Sequence, residues 1–245
     1  MEKNKEEDSK RGKTKKQMRW SIFFFLFGFL IMIFCAILQD KKVFADELLI
    51  AISVIGFLVC AFISLSLAVM AHPYWVGMEA EKIYEFYAEK ELGYFPLTDS
   101  STLEKRLSEL KFKYIKEGLY RKWNFIFSLY KDHICYYIRI IENNEVEHAI
   151  QREVENFESM GKKGTNICFL LIIYMDEVDD KNKDIIKEYS SNSIVREIVL
   201  KSKATILTVA VDKSTYLGYY LDIGMDKKST LYSYGCKLLK QLSAK

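Results

Sequence analysis

The sequence predicts a two-helix transmembrane hairpin followed by a cytoplasmic mixed α/β (or α+β) domain. Three observations predict it. Two uncharged apolar stretches lie close together near the N-terminus. Basic residues are concentrated ahead of the first. Beyond the second, apolar runs of strand length alternate with segments of helical periodicity, a pattern that builds a sheet flanked by helices.

The first stretch, Ser21–Leu38, has 18 residues and no charge, and the second, Leu48–Ala71, has 24. As α-helices they span roughly 27 and 36 Å, against a hydrocarbon core of about 30 Å. The first holds 13 Ile, Leu and Phe residues. Each favours insertion by about 0.3 to 0.6 kcal/mol, so together they contribute several kcal/mol. A cleaved signal peptide is a poorer fit, because the apolar run is too long and the following QDKKVFADE is a poor cleavage context.

Charge sets the expected orientation. Residues 1–20 carry eight Lys/Arg against four acids, and the loop between the stretches carries only Lys41 and Lys42. The positive-inside rule then places the N-terminus in the cytoplasm, and the hairpin returns the chain to that side. Trp20, Tyr74 and Trp75 suit the same interface. Residues 72–245 hold 26 basic and 26 acidic residues, so the net charge of +3 belongs to the membrane segment. Nucleic-acid binding is demoted, since phosphate neutralisation calls for a positive excess.

The second stretch repeats a small residue every four positions: Gly56, Cys60, Ser64 and Ala68. Such a face lets helices approach closely in lipid. It predicts packing against the first helix, with self-association or docking on another membrane protein as the alternative. Five cysteines without a CxxC or a framework spacing point to a reducing compartment, each packing as a small apolar residue.

The expected organisation is a basic tail (1–20), the hairpin (21–71, helices 21–38 and 48–71), a helical linker or stalk (72–101) and a soluble domain (102–245). A partial apolar stripe of Ile83, Tyr84, Tyr87 and Leu92 predicts a helix over Glu79–Leu92, either continuing the second transmembrane helix or lying on the membrane. GYFPLTDSS reads as a loop. Ser101-x-x-Glu104 matches a capping box before a helix over Thr102–Lys111. Trp123–Tyr130 and Ile134–Ile141 alternate as a hairpin, with Trp123, Phe125, Phe127 and Leu129 on one face. A helix over Asn144–Met160 follows. ICFLLIIY, within Asn166–Tyr174, is an unbroken apolar run that suits a central strand covered on both faces. A polar helix near Asp180–Tyr189, a less defined segment over Ile194–Leu200, strands over Ala204–Val211 and Tyr216–Leu221, and a helix over Thr230–Leu242 complete the chain.

Chemistry-bearing motifs are sparse. Neither GxxxxGK[ST], GxGxxG nor GxSxG occurs. Glu145-x-x-His148 puts a carboxylate and an imidazole on one helical face, but no second half of a metal site accompanies it. Asp180, Asn182 and Asp184 alternate like calcium ligands, yet Ile185 and Ser191 stand where such a loop needs Gly and Glu. No cofactor is expected. One positional argument remains. Two apolar strands run into Asp176 and Glu177, and into Asp212. If those strands are parallel neighbours, the three acids converge where open α/β sheets bind ligands. The competing reading is that Asp favours the turns at strand ends.

The order helix–strand–strand–strand–helix–strand is similar to the core of restriction-endonuclease-like folds. Their D…(D/E)xK metal signature is missing where it should fall, since the hairpin's second strand reads YYIRI. The resemblance therefore implies a scaffold without that activity, and no family is assigned from it.

The expected function is a membrane-anchored, non-enzymatic interaction or assembly module whose partners are the lipid bilayer and a protein, or a second copy through the second transmembrane helix. The alternatives are a membrane-tethered enzyme using Asp176, Glu177 and Asp212, and a two-helix membrane effector that oligomerises through the small-residue stripe.

Overall fold

The computed structural model describes residues 2–41, 46–125, 133–160, 166–224 and 228–243. The chain forms two compact units, Met1–Glu81 and Lys82–Lys245.

The first unit is built from α1 (Glu2–Asp40) and most of α2 (Asp46–Ala88). Both apolar stretches are helical, and both helices outrun them. The basic tail is already part of α1. Helix α2 runs on through Pro73, so the segment after Ala71 continues the second apolar helix. Leu92 lies beyond its end.

The second unit is a seven-stranded mixed sheet in the order β1-β7-β6-β5-β4-β3-β2. The strands are β1 (Gly93–Pro96), β2 (Lys113–Lys116), β3 (Leu119–Phe125), β4 (His133–Glu142), β5 (Asn166–Met175), β6 (Ala204–Asp212) and β7 (Leu217–Tyr220). Four helices complete it: α3 (Ser100–Glu109), α4 (Val146–Met160), α5 (Asp180–Val199) and α6 (Thr230–Leu242). Strands β4, β5 and β6 are parallel; the other pairings are antiparallel.

Two cores cover the sheet, one on each face. Even-numbered residues of β4 and β5, such as Ile138 and Leu170, pack with α3, α6 and Tyr87 at the end of α2. Odd-numbered ones, such as Tyr137 and Leu171, pack with Ala149 and Ile150 of α4 and Ile186 of α5. Burial on both faces is why β5 reads as an unbroken apolar run. It also makes β4 more buried than its alternation predicts, since Cys135, Tyr137 and Ile141 are covered as well.

Several local expectations change. GYFP is not loop but edge strand β1, held by Gly93↔Tyr220 and Pro96↔Leu217. Helix α3 is capped by Asp99, whose carboxylate accepts from Thr102 N–H at 3.0 Å; Ser101 donates to that same carboxylate instead of acting as the cap. Trp123 is exposed, not inward-facing: β3 begins at Leu119, and among its described side chains the covered ones are Leu119 and Tyr120. The side chain of Phe125 and the remainder of the expected first hairpin strand, 126–130, lie outside the described residues.

Helix α5 extends ten residues past its expected end. Strand β7 pairs with β6 only at Ala210 and Val211, so among the described residues the first half of β6 has no strand on that side. The second half of α5 packs there. Ser193 Oγ accepts from Ile206 N–H at 2.7 Å, standing in for the missing strand, and lies 3.1 Å from Thr205 Oγ1. Small side chains permit the approach: Ser190, Ser191 and Ser193 are all buried. Further along, Glu197 accepts from Ser229 Oγ, Leu231 N–H and Tyr232 N–H at 2.7–3.1 Å. A buried carboxylate thus caps α6 from another helix, its charge set against the positive end of the helix dipole.

Candidate functional site

Strands β5 and β6 are parallel neighbours, with Met175 opposite Asp212. Asp176, Glu177 and Asp212 therefore share the carboxyl edge of the sheet. Strand β4 ends there too, with Glu142 opposite Tyr174. This edge follows from the topology: three parallel strands must finish on the same side.

The side chains there are already engaged with one another. Asn144 Nδ2 donates to Asp176 Oδ2 at 2.6 Å, and the Asp176 N–H donates to Asn144 Oδ1 at 2.9 Å. Lys213 Nζ lies 2.9 Å from Glu142 and 3.4 Å from Asp176. One ammonium thus ties the ends of β4 and β5 to the residue after β6. Hydrogen bonds from Asn144 and then Lys213 hold the Asp176 carboxyl below its ordinary range, and Glu142 holds the Lys213 ammonium above its own. Such shifts fix both groups in their charged forms at neutral pH, whereas a general acid or base works best titrating near it.

Asp212 is committed to a turn. Its Oδ1 accepts from Ser214 N–H at 2.8 Å, Ser214 Oγ at 2.5 Å and Thr215 N–H at 3.2 Å. The Ser214 bonds are the main cause of its lowered pKa. This is Asp closing a tight turn at a strand end. Glu177 is exposed. The edge brings the three acids to one side of the sheet, with Asp212 turned to its own loop.

Glu145 and His148 line a polar cleft of about 420 Å³ with Asn144, Gln151, Lys181 and Asn182, between the N-terminal ends of α4 and α5. Among the described residues, no three His, Cys, Asp or Glu side chains gather as a metal site. Asp180, Asn182 and Asp184 sit in the first turns of α5, with Asp179 as its cap, and so form no calcium-type loop.

The small-residue face of α2 meets α1. A β-carbon on Gly28 would come within 3.1 Å of Cys60 Cβ, and one on Gly56 within 3.2 Å of Ile31. Ser21 Oγ donates to the Ser64 carbonyl at 2.9 Å and lies 3.1 Å from Ser64 Oγ. Ala68 is half-buried. The partner stripe on α1 was not foreseen. It consists of Thr14, Ser21, Gly28 and Cys35, all buried and seven residues apart. A strict seven-residue repeat is the mark of a left-handed helix pair, and it was readable as a spacing of small residues. All five cysteines are free and buried.

The other residues that tie the carboxyl edge, Glu142, Asn144 and Lys213, carried no sequence signal, because nothing local relates them. Comparison of the chain with known protein families, with characterised proteins and with solved structures returns no match.

Proposed function

We propose that this chain is a membrane-anchored interaction or assembly module. The α1–α2 hairpin crosses the bilayer twice, both chain ends lie in the cytoplasm, and the α/β domain engages a protein partner there. One observation carries the anchoring: the hairpin's large apolar side chains point outward. Phe34, Ile55, Phe62, Leu65 and Val69 are each more than 60% exposed, while Thr14, Ser21 and Ser64 are buried between the helices. In water such a sheath is unfavourable by about 25 cal/mol per Å² of apolar surface; in lipid it is matched. The excess of Lys/Arg before the first apolar stretch supports the orientation.

A membrane-impermeant thiol reagent tests the anchoring and its topology. Lys42→Cys should be labelled in intact cells and Lys187→Cys only after lysis. Release of the protein by an alkaline carbonate wash, or the reverse labelling pattern, overturns the reading. Crosslinked pull-down in mild detergent tests the interaction role, and recovery of neither a partner nor a self-associated form counts against it.

The second reading, a membrane-tethered enzyme, is favoured by the convergence of Asp176, Glu177 and Asp212 above parallel strands. Joint alanine substitution of the three, with no change in whatever phenotype the protein confers, removes it.

A further inference from the structure

On one side the sheet ends at β2, which lies outside β3. All four of its residues, Lys113–Lys116, are exposed. The outer edge of such a strand turns backbone N–H and C=O groups toward solvent, and those groups are a template for a further strand. Large apolar side chains gather at the same place. Tyr114 and Ile115 are 62% and 42% exposed, and Trp123 of β3 is 43% exposed.

The register sorts the side chains between the two faces. Residues opposite one another in an antiparallel pair share a face. Lys113 is opposite Arg121, and a register shift brings Lys116 opposite Leu119. Side chains two apart along β3 also share a face, so Lys113, Lys116, Arg121 and Trp123 lie together. Tyr114 is opposite Tyr120 on the other face, their rings edge to face at 5.7 Å. Lys113 and Arg121 are therefore like charges set directly against each other, which is unfavourable in a strand pair. Arg121 also bonds the Tyr137 hydroxyl. A carboxylate arriving beside the two cations relieves their repulsion. Residues 111–123 carry Lys111, Lys113, Lys116, Arg121 and Lys122 against Glu117, and the stretch after β3, 126–132, adds Lys131 and Asp132, which cancel.

We propose that the outer edge of β2 takes an extended acidic segment of a protein partner as an added strand. Its Asp or Glu side chains meet Lys113, Lys116 and Arg121 on one face, and the apolar residues between them meet Tyr114 on the other. Main-chain hydrogen bonds supply the affinity and the alternating side chains the specificity. The lysines choose among strands: a second copy docking its own β2 would set lysine against lysine, whereas an acidic strand is attracted. Anionic lipid would answer the charge but not the row of backbone groups. The proposal rests on the interaction reading above and deepens it, naming the partner's chemistry and the strand it meets.

The test uses the full chain in phosphatidylcholine nanodiscs and a fluorescein-labelled peptide of alternating Glu and Val, read by fluorescence anisotropy. This peptide should bind saturably. A counterpart with Lys in place of each Glu should bind roughly tenfold more weakly, the effect of replacing a few exposed ion pairs by like charges. N-methylation along the peptide backbone keeps the charges but removes the ladder, and should abolish binding. Lys113→Glu combined with Lys116→Glu, on an exposed edge where folding is spared, should reverse the preference between the two peptides. The inference is overturned by no saturable binding of the Glu peptide, by equal binding of both peptides, by binding that survives N-methylation, or by an unchanged preference in the double variant. Attachment of wild-type nanodiscs to phosphatidylserine vesicles without peptide binding would assign the edge to anionic lipid and overturn it as well. The titration reports on this edge whatever the crosslinked pull-down recovers, so failure here and failure of the wider interaction reading are told apart.

Discussion

The two units of this chain bury opposite kinds of residue. The hairpin buries Thr14, Ser21, Gly28, Cys35, Cys60 and Ser64 and turns Phe, Ile and Leu outward. The α/β domain buries Ile138, Leu170, Ile172 and Val209 and turns most of its charges outward, with Glu153 and Glu197 as buried exceptions. On the membrane reading proposed above, each matches its own surroundings. In the domain, removal of apolar area from water is the driving term. Helices that sit in lipid, as proposed for the hairpin, have no such term between them, and close contact of small residues takes its place.

The contrast can be broken by substitution, and the largest expected effect is in the domain. Ile172→Asp places an unpaired charge in the middle of β5, where both faces are covered. It should cost about 4 kcal/mol or more and abolish the cooperative unfolding transition. Phe62→Asp, on the exposed face of α2, should leave the domain's transition in place and alter membrane insertion instead. Equal loss of the domain in both variants would break the comparison.

Next comes Glu197. Removing its carboxylate as Glu197→Ala leaves the Leu231 and Tyr232 N–H groups and the Ser229 hydroxyl without their acceptor. A loss of about 2 kcal/mol is expected in urea unfolding, with protection from hydrogen exchange falling first in α6. An unchanged midpoint would show that the cap is dispensable.

In the hairpin, Gly28→Leu should force the helices apart where a β-carbon already meets Cys60 and Phe57. Overpacking of this kind costs about 1–3 kcal/mol. An oxidative crosslink between Ser21→Cys and Ser64→Cys reports the separation: it should form readily in the parent and poorly in the Gly28→Leu background.

The smallest effect belongs to Lys213→Met at the carboxyl edge. Exposed ion pairs contribute little. Asp176 and Asp212 have lowered folded pKa values, so their stabilisation is complete above the unfolded carboxylate value of about 3.9 and is lost as pH falls through the folded values. Asp176 owes part of its shift to Lys213, and Asp212 does not. The deficit of Lys213→Met should therefore be small at pH 7, begin to shrink near the unfolded carboxylate value of about 3.9, and vanish only as pH falls through the lowered folded value of Asp176. A deficit that persisted in acid would assign Lys213 a role other than ion pairing.

Elements with their own dense local pattern were legible. The two apolar stretches were legible as helices, though α1 and α2 run well beyond them. The runs of β5 and β6 were placed within a few residues, because burial on both faces leaves little room for polar residues. Strands β1 and β2 were not legible. KYIK and GYFP have no buried alternation of their own, and only pairing with β3 and β7 makes them strands. The second half of α5 was ambiguous, since YSSNSIVREIV has the serines of a loop; those serines are there to fit against the edge of β6.

At the carboxyl edge the acids themselves were readable as strand-end residues. Their state was not: Asp176 is governed by Asn144 and Lys213, which lie 32 and 37 positions away in the chain. The amino acid order alone was enough for the two apolar helices and the two central strands, because hydropathy and helical rise act over neighbouring residues. Which strands pair and which carboxylates are neutralised were decided by tertiary structure, because each depends on groups that only the folded sheet brings within reach.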